Sequence, residues 1–251
     1  MEIIILGSGT SIPDAKRGSP GIALLVGGET ILMDGGSGTL GKLAQAGISY
    51  LDIDRILYTH LHLDHTADLA PLLFSYRNPE SKRTKNLEII APKSFGEFLE
   101  KLKSTYGNWV EPLDYSLNLK QVLAGQRRYP QYSISYATVA HHDPSLAYRI
   151  DAHSGVSMVF SGDTDYCQSL IDLAAGTDLL IIESSFPNEH KVAGHLTPGE
   201  AGRIATLAGV KKLILTHLYP ICERYDMVAQ CRQSFSGDVS LAYDLMRIEL
   251  T

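Results

Sequence analysis

The chain has 251 residues, of which 44% are hydrophobic, and this is enough for one large α/β domain with a sizeable core. Its formal net charge is -6, so the molecule as a whole has no positive field that would hold a long polyanion nonspecifically. The first ten residues contain a short apolar run without a basic leader, so we expect neither a secretory signal nor a membrane span, and a cytoplasmic location.

Short apolar or β-branched runs that stop at Gly, Asp or Pro predict strands, and longer amphipathic stretches between them predict helices. In chain order the predicted elements are strands 2–6, 21–26 and 30–33, helix 39–46, strand 55–58, helix 67–76, strand 87–91, helix 94–106, strands 132–140, 145–150 and 156–160, helix 166–174, strand 178–182, helix 198–208, and strands 212–215 and 246–250. The helix at 198–208 has a complete start signal, with Thr197 as N-cap, Pro198 at the first position and Glu200 three residues after the cap.

Strands interleaved with helices in both halves predict two sheets packed face to face with helices outside, a four-layer α/β/β/α sandwich. No Pro/Gly/Ser linker, low-complexity tract or charge block divides the sequence. We therefore expect residues 1–251 to form a single domain.

The patterns of the cysteines and of the basic clusters indicate structural rather than functional roles. Cys167, Cys222 and Cys231 are odd in number and lack CxxC spacing, which predicts free thiols rather than disulfides or a thiolate metal site. Short basic clusters are usually solvated faces, although they could contact phosphates. The clusters are Lys82, Arg83 and Lys85, and the pair Arg127 and Arg128.

A run of four metal-binding side chains follows the strand predicted at 55–58. His60, His62, Asp64 and His65 form the sequence HLHLDH. In a tight loop the i, i+2 spacing of His60 and His62 can direct two imidazoles at one ion, while Asp64 and His65 turn toward a second. A preceding strand and a following helix would hold these ligands stiffly, so the run predicts a metal site. A solvated, histidine-rich loop is the alternative.

Three more candidate ligands stand where predicted strands end. His141, Asp163 and His217 follow the runs ISYATVA, VSMVFSG and KLILT. Polar groups at strand ends can converge, because this is where α/β sheets assemble sites.

Seven such groups suit two borderline divalent ions, with zinc favoured and manganese or iron as alternatives. The expected ligands are His60, His62 and His141 for the first ion and Asp64, His65 and His217 for the second, with Asp163 bridging the two. A bridging carboxylate is needed because two divalent cations at close range repel each other strongly. Even with a bridging hydroxide the filled site keeps a positive charge, which favours a small anionic substrate.

These motifs make the chain resemble the metallo-β-lactamase superfamily and, within it, the ribonuclease Z-like hydrolases. The resemblance covers nearly the whole chain, in the sequences LGSGTSIP, ILMDGGSGT, THLHLDHTADL, HHDPSLAYRI, FSGDT, DLLIIESSF, GHLT and LILTH. It implies the four-layer sandwich, a dinuclear metal site and a metal-dependent hydrolase. It is much less specific for the substrate.

The resemblance also assigns roles to individual residues. In HHDPSLAYRI the ligand corresponds to His141, and His142 is expected to hydrogen-bond or to face solvent. His195 in GHLT resembles a catalytic histidine that protonates the leaving oxygen, and Glu183 resembles the acid that orients it. Asp34 in MDGG resembles a residue that supports the ligand loop. Each of the last three residues also has a structural alternative. His195 could be an ordinary histidine at a helix start, Glu183 an ordinary carboxylate at a strand end, and Asp34 a turn-forming aspartate.

The resemblance implies attack by metal-bound hydroxide on a phosphorus centre, with Asp64 orienting the nucleophile. Two features separate this sequence from tRNA-processing members of the family. Only 21 residues lie between His141 and Asp163, where those members carry a long basic arm, and Ser37 stands where many have an acidic residue. We therefore expect a small phosphodiester or a short nucleic acid as substrate, with Trp109 and Tyr148 as candidate walls of the site.

Other functions stay open at this point. The same site could process tRNA 3′ ends or hydrolyse a lactone, lactam or thioester carbonyl. An iron-based oxidoreductase is disfavoured, because such members usually place an acidic residue where His62 stands. A non-catalytic binding module is expected to have lost ligands, and none is lost here. A homodimer is a further expectation.

Overall fold

The backbone of the protein, in a computed structural model that describes residues 1–142 and 144–251, forms two seven-stranded sheets. The strands of the first sheet are β1 (Glu2–Gly7), β2 (Gly21–Val26), β3 (Glu29–Met33), β4 (Ile53–Leu57), β5 (Leu87–Pro92), β6 (Leu117–Val122) and β14 (Met246–Glu249). Those of the second sheet are β7 (Gly125–Arg128), β8 (Tyr132–Val139), β9 (Ser145–Ala152), β10 (Ser157–Phe160), β11 (Leu179–Glu183), β12 (Lys212–Thr216) and β13 (Asp238–Leu241). Asp143, part of the motif HHDPSLAYRI, lies outside the described residues.

Seven helices accompany these sheets within the described residues. They are α1 (Thr39–Gln45), α2 (Leu63–Thr66), α3 (Leu69–Ser75), α4 (Phe95–Tyr106), α5 (Gln168–Leu173), α6 (Pro198–Ala208) and α7 (Met227–Arg232). Short 3-10 helices lie at Tyr50–Asp52, Gly107–Val110, Asn188–His190 and Pro220–Arg224. Across residues 1–142 and 144–251, none of the helices has the length and hydropathy that crossing a bilayer requires.

Alternation along the strands explains the four layers. Ile3 and Ile5 of β1 point into a core between the two sheets, whereas Ile4 and Leu6 of the same strand pack under the helices of the first sheet. A third apolar cluster fills the space between the second sheet and α5, α6 and α7. Strands buried on both faces need continuous apolar sequences, which is what these runs are. The predicted α/β/β/α sandwich is confirmed.

The strand order brings the functional loops to one edge of the sandwich. The first sheet runs β14-β1-β2-β3-β4-β5-β6 and the second β13-β12-β11-β10-β9-β8-β7. Strands β3 to β6 are mutually parallel, and so are β10 to β13. Because parallel strands end at the same edge, the loops that follow β4, β10, β11 and β12 can meet there.

The helix predicted at 67–76 is present as α3, which begins two residues later and ends one residue earlier than predicted. Asp68 separates α2 from α3 by bonding to the glycine-rich loop beside it. Its backbone N–H donates to the carbonyl of Gly35, and its carboxylate accepts from the N–H groups of Gly38 and Leu40. These bonds to a distant segment replace the helical bond that Asp68 would otherwise make.

Sequence patterns do not predict β6, β7, β13 or α7. Each of the three strands lies at the edge of a sheet or is short, and polar residues interrupt its apolar pattern. Edge strands have neighbours on one side only, so their sequences carry a weaker burial signal than central strands. The predicted capping box at α6 is confirmed: the Thr197 hydroxyl accepts from the Glu200 N–H, and the Glu200 carboxylate accepts from the Thr197 N–H.

Tyr148 joins the two sheets and does not form a wall of the site. Its side chain is fully buried, and its hydroxyl donates to the carbonyl of Tyr58 at 2.8 Å. The N–H of Leu146 likewise donates to the carbonyl of Thr59 at 2.9 Å. The prediction for Tyr148 is wrong, because the hydroxyl satisfies a carbonyl at the end of β4 inside the core.

Candidate metal centre

The seven predicted ligands converge at the carboxyl edge of the two sheets. Four come from the loop after β4 and the start of α2, and the other three follow β8, β10 and β12. The distances between ligand atoms place these seven side chains in two groups, and a third group combines Asp163 and His217 with His195. The first two groups are His60, His62, His141 and Asp163, and Asp64, His65 and His217.

In the first group the nitrogens surround one oxygen of the shared carboxylate. Nε2 of His60 and Nε2 of His141 lie 3.7 and 3.8 Å from Oδ2 of Asp163. Nδ1 of His62 lies 3.3 Å from Nε2 of His141. Ligands about 2.0–2.1 Å from one tetrahedral ion are roughly 3 to 4 Å apart, so these spacings suit a single metal ion.

The second group faces the other oxygen of the same carboxylate. Oδ1 of Asp163 lies 3.3 Å from Nε2 of His65 and 3.4 Å from Nε2 of His217. Oδ2 of Asp64 lies 3.5 Å from Nε2 of His217. Asp163 therefore presents one oxygen to each group, which is the arrangement that a bridging ligand between two ions requires.

Buried atoms without partners mark the same spot. Nε2 of His60, His65 and His217 and Oδ1 of Asp163 are buried, and within the described residues they have no hydrogen-bond partner. Leaving a buried polar atom unpaired costs about 1–3 kcal/mol, so four such atoms in one place need an explanation. Nitrogen and carboxylate donors suit zinc and related divalent ions, so the residues fit the implied metals. The three cysteines are free, and none belongs to a group of this kind in the described chain.

Asp34 and Thr59 fix two of the ligand rings. The Asp34 carboxylate accepts from the Thr59 N–H at 2.8 Å, from the Thr59 hydroxyl at 2.8 Å and from Nδ1 of His65 at 2.7 Å. Since the Thr59 hydroxyl donates to Asp34, its oxygen accepts from Nδ1 of His60 at 2.9 Å. Both rings thus hold their proton on Nδ1, and each keeps a lone pair on Nε2 for a metal.

Two other ligand rings are held in the same way from the second sheet. Nδ1 of His141 donates to the carbonyl of Gly194 at 2.8 Å. Nδ1 of His217 lies 2.9 Å from the hydroxyl of Ser185, which itself donates to Glu183. His217 has a positive φ of 57°, a conformation that non-glycine residues adopt at a cost of about 1–3 kcal/mol and that is characteristic of functional positions.

Gly36 of the MDGG motif is required by close backbone contact. A Cβ atom on Gly36 would lie 1.8 Å from the carbonyl oxygen of Asp64 and 2.5 Å from Cβ of Ser19. The N–H of Gly35 donates to the carbonyl of His65 at 2.7 Å. The loop that carries Asp34 is therefore bonded directly to the ligand loop, as a supporting segment should be.

Protonation equilibria in the site favour cation binding. Burial, together with the neighbouring His65, holds the pKa of His60 well below its usual value, so its imidazole is neutral. Burial also disfavours a charged His65, but the carboxylates of Asp163 and Asp34 outweigh it and raise the pKa of His65 well above the usual value. Without metal a proton therefore compensates these carboxylates at His65, and metal binding would displace it.

His195 lies beside the two groups and is bonded to Glu183. Its Nδ1 is 3.0 Å from Oε1 of Glu183, and its ring stacks on that of His217 with 5.7 Å between centroids. Glu183 is almost fully buried and also accepts from the N–H groups of Thr164 and Leu196. Burial lowers the pKa of His195, but its hydrogen bond to the Glu183 carboxylate outweighs this effect and raises the pKa. His195 is thus arranged to hold a proton more strongly than a free imidazole does.

His142 is exposed and stands outside both groups of ligand atoms in the described residues, although its ring lies 4.8 Å from that of His62. We expect His141→Ala to lower the bound metal by about one ion per chain and to reduce turnover at least about 100-fold, since it removes a ligand. His142→Ala is the matched control and should keep the metal content of the parent protein. Elemental analysis of both variants decides between them, and metal loss in His142→Ala alone would reverse the assignment.

Two residues that hold ligand rings are not predicted by sequence patterns. Thr59 and Ser185 hold ligand rings, yet serine and threonine at strand ends are common, and their partners are distant in sequence. The repeated Thr-His at the ends of β4 and β12 is the one local hint for Thr59.

Arg83 is not available to phosphates. It is 2% exposed and donates to the carbonyls of Leu51, Ile53 and Asn86, beneath the ring of Tyr76. The predicted solvated face is wrong at this position, because the guanidinium satisfies carbonyls next to β4.

Trp109 is 58% exposed and packs near Phe74. The role of Trp109 as a wall of the site stays a prediction.

Comparisons with known proteins agree with this fold. Residues 29–218 match the family described as Beta-lactamase superfamily domain. Ribonuclease Z of Methanothermobacter thermautotrophicus is 30% identical over an alignment that covers all of this chain and 97% of that protein. The metallo-β-lactamase fold protein YhfI of Bacillus subtilis is 26% identical, with a TM-score of 0.85 over 98% of both chains. Human tRNase Z, short form, is 24% identical, with a TM-score of 0.83 over 100% of both chains, a likeness of fold.

Proposed function

Because the chain belongs to the metallo-β-lactamase superfamily and is similar to ribonuclease Z proteins, we propose that it is a zinc-dependent phosphodiesterase acting on small phosphodiesters or short nucleic acids. The enzyme class is a metal-dependent hydrolase of the ribonuclease Z-like kind. The observation that carries the proposal is the convergence of seven ligand side chains in two groups around the carboxylate of Asp163. We assign the site to a single domain comprising residues 1–251.

In this proposal His60, His62 and His141 would hold one ion and Asp64, His65 and His217 the other, with Asp163 as a ligand that both groups share. The ions would supply an activated water nucleophile and positive charge for the phosphoryl oxygens. Asp64, which lies at the open side of its group, accepts a hydrogen bond from the attacking water and directs it toward phosphorus. Glu183 orients His195, and His195 gives its Nε2 proton to the leaving oxygen as the ester bond breaks.

The small substrate is supported by what the chain contains between His141 and Asp163. The described residues of this stretch are mainly β9 and β10, an antiparallel pair joined by residues 153–156. The alignment with ribonuclease Z of Methanothermobacter thermautotrophicus extends over 305 positions for a chain of 251 residues, so that relative contains segments with no counterpart here. A precursor tRNA needs protein contacts far from the scissile bond, and such segments could supply them.

Ion pairs on the surface also reduce the positive charge with which lysine and arginine side chains could bind a polyanion. Most of the 22 lysine and arginine residues lie within ion-pair distance of a carboxylate. In the two basic clusters, Lys82 pairs with Asp114, Lys85 with Asp54 and Arg127 with Glu88. Each pair reduces the charge left to neutralise phosphates, so the local charge of the metal centre has the larger share in binding an anion.

We expect kcat/KM for bis-p-nitrophenyl phosphate or a short oligonucleotide to exceed that for precursor tRNA by at least about tenfold at physiological salt, where unscreened attraction cannot support tRNA binding. The comparison uses metal-loaded protein, and a lactone and a β-lactam serve as further substrates. Position-specific cleavage of precursor tRNA at a 3′ junction, with negligible turnover of small diesters, would contradict the proposed substrate class.

The names of the relatives favour tRNA 3′-end cleavage as the second candidate, and the same experiment decides between the two. Hydrolysis of a lactone, lactam or thioester is not favoured by these relatives. A cytoplasmic location and a homodimer are also part of the proposal. The exposed rings of Phe74 and Trp109 form apolar surface that a second copy could cover.

A further inference from the structure

Lys191 ties down the loop that carries His195. Its ammonium lies 2.6 Å from each of three oxygens: Oδ1 of Asp165, Oε2 of Glu200 and the main-chain oxygen of His195. An ammonium has three N–H donors, so this arrangement uses all of them. The lysine thereby closes residues 191–195 into a compact loop in front of α6.

Asp165 holds the same loop from the side of the second sheet. Its Oδ2 accepts from the N–H of Gly194 at 2.8 Å, while Oδ1 binds Lys191. Its own N–H donates to the carbonyl of Ala140, the residue before His141. Asp165 thus connects three segments of the site: the end of β8, the loop after β10 and residues 191–195.

Gly194 passes this restraint to the functional side chains. Its N–H is bonded to Asp165, its carbonyl accepts from Nδ1 of His141, and the next residue is His195. Gly194 has a positive φ of 86°, which a larger residue would adopt only with strain. Glu183 fixes the ring of His195, whereas these contacts fix its backbone. The two restraints are separate.

The contacts of Lys191 and Asp165 are not explained by a need to stabilise the start of α6. The capping box is complete without Lys191, because Thr197 and Glu200 bond to each other. Asp165 makes no contact with the helix cap in its hydrogen bonds within the described residues. The contacts that both side chains share are those to residues 191–195.

We propose that Asp165 and Lys191 are positioning residues that set the place of His195 relative to the leaving group. This inference rests on the proposed function, since it takes His195 to act on the substrate. Proton transfer requires the donor within hydrogen-bond reach of the leaving oxygen, and small displacements lower its rate steeply. Asp165 and Lys191 act through His195 and do not touch the substrate themselves.

The kinetic test compares Asp165→Ala and Lys191→Met with Lys211→Met. Lys211 pairs with Asp178 at the same 2.6 Å, but at the opposite edge of the sandwich, where β11 and β12 begin. At saturating metal, each of the first two variants should lose roughly 10- to 100-fold in kcat on a dinucleotide, whose alkoxide leaving group needs a proton, with little change in KM. Loss on bis-p-nitrophenyl phosphate should be several-fold smaller, and Lys211→Met should match the parent on both substrates.

A double-variant comparison separates positioning from general damage. In a His195→Ala background, Asp165→Ala and Lys191→Met should cause no further loss, because the residue through which they act is absent. Equal losses with and without His195, or equal losses on both substrates, would overturn the proposal.

Hydrogen exchange gives a readout that does not depend on activity. In Lys191→Met the amide of Gly194 is followed, because its acceptor Asp165 remains; in Asp165→Ala the amide of His195 is followed, because its acceptor Val192 remains. Both should exchange at least tenfold faster than in the parent, and unchanged rates would refute the restraint. If the parent hydrolyses no phosphodiester, the proposed function fails, while faster exchange in these variants would still support the restraint on His195.

Discussion

Replacing Asp163 with asparagine should remove most of the bound metal and lower kcat/KM by more than about 10⁴-fold, because the two ions supply both the nucleophile and the charge stabilisation. The carboxylate of Asp163 faces both ligand groups, with Oδ1 toward His65 and His217 and Oδ2 toward His60 and His141. Asparagine keeps the shape but has no negative charge to offset the repulsion between two cations. Elemental analysis and turnover are the two measurements.

The control for this variant is Asp151→Asn, which removes an exposed carboxylate paired with Arg149 on β9, in the same sheet. It should leave both metal content and turnover unchanged. The parent protein should contain about two ions per chain, and its melting temperature should fall when a chelator removes them, because buried ligand atoms then lose their partner. One ion or none in the parent, even after incubation with zinc or manganese, would refute the dinuclear centre.

Replacing His195 with alanine should retain both ions and yet reduce turnover by roughly 10²- to 10⁴-fold, the usual size of a general acid contribution. A ligand atom of His195 lies close to those of Asp163 and His217, but the seven other ligands form their two groups without it, and its Nδ1 is bonded to Glu183. Its Nε2 is therefore free to act on the substrate. The loss should be largest for alkoxide leaving groups and smallest for p-nitrophenolate, which hardly needs protonation.

The measurement for His195→Ala is a series of diesters with leaving groups of graded basicity, together with metal analysis of the same preparation. His190→Ala is a suitable control, since His190 is an exposed histidine that bonds to Tyr225, the residue after the 3-10 helix Pro220–Arg224. Loss of metal from His195→Ala would make His195 a ligand. A uniform loss across the series would remove its role as proton donor.

The amino-acid sequence alone determined the layers of the fold and the set of candidate ligands. The apolar runs within β1, β11 and β12 predict central strands, because a strand buried on both faces must be largely apolar. The capping box at Thr197 and the run from His60 to His65 are equally local, since their groups lie within a few residues of each other. Patterns this short can be recognised in the sequence without knowledge of the fold.

Only the tertiary structure decided which partner holds each ligand ring. Asp34 reaches His65 across 31 positions in the sequence, and Gly194 reaches His141 across 53. It also separated α2 from α3 at Asp68 and buried Tyr148 between the sheets. These outcomes depend on contacts between distant segments, which form when the two sheets pack and which no short stretch of sequence encodes by itself.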